Sequence, residues 1–263
     1  SISDTDCGIR GAAAVGERVE HFGADRVAAV IMEPNAGSNG IVAPDSFWPA
    51  LRRVTIERDV LLIADEVMSA FGRCGEWFAW QRYGAGHAPD MMTLAKGLTG
   101  AALPLGAVVI SADVAARLEH DMLFTGLTYC GHPLCCAAGV AALGAYRDGN
   151  LIERSRRLGA DLRRSLEALQ QRDRVVGDVR GGHGLFAVVG LVKDRDSREP
   201  LAPWPQGTPE LKALVDDAMA AGMSLATRGN LILLAPPLVI EERELADAVA
   251  LLDRLLGRHF PSG

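Results

Sequence analysis

Short apolar runs that end at a polar residue alternate with amphipathic segments in the first half of the chain. Residues 60–64 form a β-branched and apolar run that predicts a strand buried on both faces, and this run ends at Asp65. Residues 91–95 repeat the arrangement and deliver Lys96 into a glycine-flanked turn. Because ligands of open α/β sheets bind outside the carboxyl ends of the strands, we expect Asp65 and Lys96 to converge on one ligand.

The remaining periodicity of the first half predicts helices and strands in alternation. Further strands are expected at 27–32 and 105–111, and helices at 12–21, 47–58, 114–120 and 133–146. Phe22 is expected to face inward, and Asp45 is expected to cap the second helix. The order strand, helix, strand predicts a right-handed crossover between parallel strands.

The pattern changes after a polar break at 147–150. Beyond it we predict a charged amphipathic helix at 151–170, strands at 175–182, 185–192 and 231–234, and helices at 209–219 and 241–256. The predicted fold class is therefore α/β, with a mostly parallel sheet domain at 1–147 followed by a smaller α+β domain at 148–263.

Composition limits the class of partner. The chain has 263 residues, of which 49% are hydrophobic and 23% charged, and its net charge is −6. An acidic chain without a basic stripe argues against nucleic acid or an anionic membrane as the partner, and no apolar run approaches the length of a membrane span. Five cysteines without paired spacing predict reduced thiols in a cytoplasm and no metal site.

The candidate chemistry depends on one of only three lysines, Lys96, since the others are Lys193 and Lys212. Arginine keeps its proton in proteins, whereas a partly buried lysine can become the neutral amine that forms Schiff bases. Pyridoxal phosphate (PLP) needs such an amine for its aldehyde, and a carboxylate such as Asp65 to keep its ring nitrogen protonated. Two other interpretations stay open: Lys96 as a solvated loop residue, and Asp65 as the cap of a backbone turn.

A phosphate site is the remaining requirement of that cofactor. Thr128 lies in a polar loop that runs into the start of the helix at Pro133, where a hydroxyl and backbone N–H groups could bind phosphate. A helix cap is the alternative role for Thr128. Four aromatic residues near the Asp65 strand predict a hydrophobic cluster that fixes the loop, or else the lining of a ligand pocket: Trp77, Phe78, Trp80 and Tyr83.

Seven motifs, in this order and spacing, resemble those of the class III aminotransferases. They are Glu33-Pro34 with Gly37 and Gly40, Leu62-Ile63-Ala64-Asp65-Glu66-Val67, Phe71-Gly72-Arg73 with Gly75, Leu94-Ala95-Lys96-Gly97, Pro104-Leu105-Gly106, Thr128-Tyr129 with Gly131-His132-Pro133, and Pro236-Pro237-Leu238. Segments 178–186, 198–200 and 228–230 are most similar to the branch that acts on ω-amino acids, taurine and simple amines with pyruvate. The resemblance implies a fold type I PLP-dependent transferase whose amino-terminal part has no counterpart here.

The resemblance also implies roles for individual residues. Lys96 would hold the cofactor as a Schiff base and move the substrate proton, Asp65 would pair with the ring nitrogen, and Val67 would press on the ring face. Thr128 would bind the cofactor phosphate of the neighbouring subunit. These roles imply a homodimer, or a tetramer, with shared active sites.

Three positions depart from related branches. In the ornithine and γ-aminobutyrate branches an arginine binds a substrate carboxylate, and a glutamate pairs with that arginine when the site is empty. This chain has Leu233 in place of the arginine and Ser38 in place of the glutamate. Arg228 is the candidate that remains for binding a carboxylate or sulfonate through two hydrogen bonds. Met68 replaces a glutamine that often contacts the cofactor's phenolic oxygen.

The predicted function is transfer of an amino group from an ω-amino acid, taurine or simple amine to an oxo acid, with pyruvate expected as acceptor. Two alternatives stay open: a PLP-dependent decarboxylase or aminomutase on the same scaffold, and a catalytically silent relative that binds no cofactor. Family members are longer, so we expect these residues to be part of a longer protein.

Overall fold

The computed structural model describes residues 3–120, 122–123 and 125–261. The helices, in chain order, are α1 (Asp4–Phe22), α2 (Phe47–Glu57), α3 (Ala112–Leu118), α4 (Pro133–Asp148), α5 (Leu151–Arg172), α6 (Pro209–Ala220) and α7 (Glu242–His259). The strands are β1 (Ala29–Met32), β2 (Asn35–Ala36), β3 (Ile41–Val42), β4 (Leu61–Asp65), β5 (Met91–Leu94), β6 (Ala107–Ile110), β7 (Val176–Gly181), β8 (Ala187–Asp194), β9 (Glu199–Pro200), β10 (Ala226–Arg228) and β11 (Leu231–Leu234). Every long helix expected from periodicity is present.

The chain divides into two compact units. The first takes residues up to Ala36 together with 42–71 and 76–149, and the second takes 37–41, 72–75 and the residues from Asn150 onward. The predicted domain boundary between residues 147 and 148 stays a prediction. It places the segments 37–41 and 72–75 in the first domain, whereas they group here with the second unit.

The sheet of the first unit has the strand order β1-β4-β5-β6. β1 pairs with β4 and β4 with β5 in parallel, whereas β6 runs antiparallel to β5. The parallel pair joined by α2 confirms the predicted strand–helix–strand arrangement. Burial is one-sided: Leu62 and Ala64 are fully buried, but Ile31 on the edge strand β1 is 58% exposed. The expectation of burial on both faces, made for the strand at 60–64, is met on one face only, because Leu61 and Ile63 of β4 are partly buried. The strand at 27–32 was expected to be buried, and its exposed Ile31 shows that this is wrong for that position.

Two local predictions about the helices of the first unit are corrected. Phe22, expected inward, is the last residue of α1 and is 56% exposed, and the helix packs through Ala12 and Val19. Asp45 does not cap α2: its carboxylate pairs with the guanidinium of Arg82, and Ser46 occupies the N-cap position. The Arg82 guanidinium, rather than the backbone of α2, is therefore the partner of the Asp45 carboxylate.

The second unit is an antiparallel sheet covered by three helices. Its strand order is β10-β11-β8-β7, with β9 paired to β8. The helix α5 buries a leucine stripe against this sheet, comprising Leu158, Leu162, Leu166 and Leu169. The predicted amphipathic helix and its helical spacing are confirmed.

Two general properties of the described residues bear on the predicted class of protein. Over those ranges, the helices include none with the length and apolar character of a membrane span. None of the five cysteines is in a disulfide.

A buried carboxylate anchors the loop that follows β4. Glu66 is fully buried and accepts hydrogen bonds from the Ser69 hydroxyl and from the backbone N–H of Trp80, at 2.9 Å. Burial raises the pKa of the Glu66 carboxyl above its usual value; the hydrogen bonds from Ser69 and Trp80 oppose that rise, and the neighbouring Asp65 charge adds to it. The folded protein therefore holds this proton more tightly than the unfolded chain does.

We expect Glu66→Gln to change how stability depends on pH. A raised folded-state pKa makes the parent's free energy of unfolding fall as pH rises from about 4.5, the ordinary value, through the folded pKa. Glutamine cannot titrate, so the variant lacks this loss and gains on the parent as pH rises. Urea unfolding of both proteins at pH 5 and pH 8 measures the difference, and an equal difference at the two pH values would contradict the assignment.

Candidate active site

Asp65 is the last residue of β4 and remains partly accessible. Its Oδ1 accepts a hydrogen bond of 3.1 Å from the backbone N–H of Val67, two residues on. The turn-capping role considered for Asp65 is thus real, and it also orients the carboxylate. Val67 itself is partly buried and follows the strand directly.

Lys96 begins a single 3-10 turn, Lys96–Thr99, immediately after β5. Its side chain is exposed, and its backbone adopts φ 37°, in the left-handed region. A residue other than glycine in that region costs about 1–3 kcal/mol, and such strain clusters at functional sites. The backbone N–H of Ala101 donates to the Lys96 carbonyl at 3.2 Å, which helps to hold the strained residue in the turn.

The base of the Lys96 turn is fixed by aromatic residues. A Cβ on Gly97 would lie only 2.9 Å from the Phe71 ring, so only glycine allows this approach. The Tyr146 hydroxyl donates to the Gly97 carbonyl at 2.8 Å, and the Tyr146 ring stacks on Phe71 with centroids 5.8 Å apart. The lysine is therefore flexible at its side chain but not at its backbone.

Lys96 contributes to an open cavity of about 670 Å³ in the first unit. The lining residues are Ala95, Lys96, Thr99, Ala101, Leu103, Pro104, Leu105 and Gly106. The four aromatic residues near β4 are not among them, because they pack in two hydrophobic clusters: Trp77 and Phe78 in that of Phe71, and Trp80 and Tyr83 in that of Trp48. The cluster interpretation of these aromatics is the one that agrees with the structure.

The structure brings Asp65, Val67 and Lys96 to one edge of the sheet. β4 and β5 are adjacent and parallel, and their register pairs Asp65 with Thr93, three positions before Lys96. The carboxylate and the amine therefore leave the sheet at the same carboxyl end of neighbouring strands, which lie about 4.8 Å apart.

Thr128 is exposed, in the turn at 128–131 that precedes α4. Like Asp65 and Val67, it is not among the residues that line the Lys96 cavity. The predicted phosphate contact of Thr128 stays a prediction.

Arg228 belongs to the second unit, at the end of the edge strand β10. Its side chain is exposed, and its guanidinium carbon lies 5.8 Å from the centre of the Trp204 ring. A guanidinium at this distance gains a cation–π attraction while its N–H donors stay free to bind an anion. Its role in binding substrate stays a prediction.

Two polar residues of the site were missed by sequence reasoning. Glu66 is given no role of its own in the sequence analysis, where it is only part of a motif. A second carboxylate after an apolar strand nevertheless predicts either a ligand-binding side chain or a buried carboxylate that fixes a loop. Thr93 interrupts the apolar run of β5, and its hydroxyl oxygen is buried without a hydrogen-bond partner in the described part of the chain. A polar residue within an otherwise apolar strand is the pattern by which the sequence could have identified Thr93.

Comparison with known proteins agrees with this geometry. The Aminotransferase class-III family model matches residues 6–256. The putrescine–pyruvate aminotransferase of Pseudomonas aeruginosa is 33% identical over 258 residues, which cover 97% of this chain and 55% of that protein. The omega-aminotransferase of Caulobacter vibrioides is 37% identical over 243 residues, which cover 89% of this chain and 52% of that protein.

A solved structure shows the same fold. The taurine:2-oxoglutarate aminotransferase from Bifidobacterium kashiwanohense, in complex with PLP and glutamate, matches with a TM-score of 0.91 at 34% identity, covering 98% of this chain and 57% of that one. The chain thus spans about half the length of the relatives it matches. The predicted fold type I α/β architecture is confirmed, and the chain belongs to the class III aminotransferase family.

Proposed function

We propose that this chain carries the lysine and ring-nitrogen carboxylate of a PLP-dependent transaminase. The observation that supports the proposal best is the placement of Asp65 and Lys96 at the carboxyl ends of adjacent parallel strands. The family assignment adds to it, because a class III aminotransferase needs both groups.

The residues present fit the cofactor. The cavity beside Lys96, about 670 Å³, is within the range of roughly 300–1,000 Å³ for small-molecule sites. The Lys96 side chain is exposed, rather than partly buried as expected, and it lines this cavity, whereas Asp65 and Val67 are not among the lining residues. The Asp65 carboxylate is partly accessible and fixed by the Val67 N–H. A carboxylate held in this way can accept a hydrogen bond from a protonated ring nitrogen.

We propose for these residues the roles that the family resemblance implies. Bound PLP withdraws electrons from the substrate carbon that bears the amine, which makes the proton on that carbon acidic. Nζ of Lys96 would hold the cofactor covalently between turnovers, and it would remove and return that proton during them. Asp65 would keep the ring nitrogen protonated, and Val67 would contact the ring.

We propose an ω-amino acid, taurine or a simple amine as donor and pyruvate as acceptor. The names of two relatives support this choice, since one acts on putrescine and pyruvate and the other is an omega-aminotransferase. The taurine enzyme of Bifidobacterium uses 2-oxoglutarate, which makes that oxo acid the competing acceptor. Leu233 and Ser38 leave no charged pair for a second substrate carboxylate, so the proposal assigns the acceptor's carboxylate to Arg228.

We also propose a homodimer in which Thr128 binds the cofactor phosphate of the partner subunit. The helix α4 is apolar on most of its surface, yet Leu134 is 62% exposed and Val140 is 72% exposed. A helix that is hydrophobic all round is normally buried, and contiguous exposed apolar surface marks an interface. A second copy of the chain is the occupant that would also place Thr128, just before α4, at a shared site.

Replacing Lys96 tests the covalent role. When the parent is treated with PLP and then reduced with borohydride, its mass should increase by that of the attached cofactor. We expect Lys96→Ala to show no such increase and to turn over about 10²-fold or more slowly. Lys212→Ala is the matched control, because Lys212 is exposed and paired with Asp216 on α6. Mass spectrometry and a pyruvate-coupled amine assay provide the readouts. The proposal fails if Lys96→Ala retains both the added mass and the parent rate.

Replacing Arg228 tests the acceptor site. A lost charge-assisted pair costs about 1.5–3 kcal/mol, so Arg228→Ala should raise KM for pyruvate at least about 10-fold. KM for putrescine, which has no carboxylate, should hardly change. Arg243→Ala is the control, since Arg243 is an exposed arginine of the same unit. Equal increases of KM for both substrates would remove Arg228 from the acceptor site.

A charge placed on α4 tests the proposed interface. Val140→Arg would bury a guanidinium without a partner, so we expect it to convert the dimer into monomers in sedimentation experiments. Val239→Arg is the control, because Val239 is similarly exposed but belongs to the second unit. A Val140→Arg variant that stays dimeric, or a parent that is monomeric, would contradict the assignment of this surface.

A further inference from the structure

Thr93 has an unexplained buried hydroxyl on β5, the strand that leads to Lys96. It is the one polar residue of β5, which otherwise consists of Met91, Met92 and Leu94. Its Oγ1 is buried and has no hydrogen-bond partner among the residues that the structure describes. Buried hydroxyls without partners are rare and destabilising, so each one requires a reason. Valine has the same shape and favours strands equally, so packing alone does not explain threonine here.

The register of the sheet gives Thr93 one polar neighbour. Thr93 pairs with Asp65 in the parallel ladder to β4 and with Val108 in the antiparallel ladder to β6. Paired residues of neighbouring strands point to the same face of a sheet, so the Thr93 side chain is flanked by a carboxylate on one side and a valine on the other. Of these two flanking residues, Asp65 is therefore the one whose side chain can accept a hydrogen bond from the Thr93 hydroxyl.

We propose that Thr93 is a positioning residue that acts through Asp65. When a protonated ring nitrogen engages Asp65, the Thr93 hydroxyl donates to the carboxylate. Together with the Val67 N–H on Oδ1, this second donor fixes the plane of the carboxylate. The hydroxyl is left without a partner until the cofactor is bound. The inference rests on the proposed cofactor site at Asp65 and Lys96.

Two substitutions separate positioning from packing. Thr93→Val keeps the shape and removes the hydroxyl, whereas Thr93→Ser keeps the hydroxyl and removes the methyl group. For each we would measure the urea midpoint without cofactor and the dissociation constant of PLP by absorbance titration. We expect Thr93→Val to have a higher urea midpoint than the parent, because a buried unpartnered polar group is gone, yet to bind PLP about tenfold more weakly. Thr93→Ser should bind PLP as the parent does.

A third variant tests whether Thr93 acts through Asp65. In the Asp65→Asn background, Thr93→Val should cause no further loss of PLP affinity, since the carboxylate that it positions is absent. Full additivity of the two losses would overturn the proposed route through Asp65.

The other outcomes are also decisive. A Thr93→Val variant that binds PLP as tightly as the parent overturns the inference alone, and so does an equal loss in the valine and serine variants, which would indicate packing. A parent chain that binds no PLP overturns the proposed function, and this inference with it. The two failures are therefore distinguishable by the titration of the parent.

Discussion

The parallel pairing of β4 with β5 is the constraint on which the rest of the candidate site depends. Its register sets Asp65 beside Thr93 and brings the Lys96 turn to the same edge of the sheet. A slip of the pairing by one residue would turn the side chains to the opposite face. That slip is opposed by Leu62, Ala64, Met92 and Leu94, which are buried on one face and leave Asp65 and Thr93 on the other. The apolar core of the first unit thus fixes the position of its chemistry.

A second constraint acts where β5 ends. Lys96 occupies a left-handed backbone conformation that its side chain disfavours, and Gly97 allows Phe71 to pack directly against the turn. The hydrogen bond from Tyr146 on α4 holds the turn from the other side. The backbone of the lysine is therefore rigid while its amine reaches an open cavity. This combination suits a group that must stay in place as a cofactor carrier and still move a proton.

The sequence predicts most of this architecture, and its failures have physical causes. Helices with a strong apolar stripe, such as α5, and strands that end at a charged residue, such as β4, are determined by local patterns. Three kinds of error arose where tertiary partners decide. Asp45 pairs with Arg82 instead of capping α2. Ile31 is exposed because β1 is an edge strand. Glu66 is buried because Ser69 and Trp80 supply its hydrogen bonds. Lys96 and Asp65 could be identified because their residue types are unusual at strand ends, whereas the buried hydroxyl of Thr93 required coordinates.

The most direct test of the central claim is a crystal structure of the protein with PLP bound. The account predicts continuous electron density from Nζ of Lys96 to the cofactor's aldehyde carbon, and a ring nitrogen within about 3 Å of an Asp65 carboxylate oxygen. A cofactor bound elsewhere, or a ring nitrogen turned away from Asp65, would contradict the claim that the carboxyl ends of β4 and β5 present an acid and an amine to one ligand.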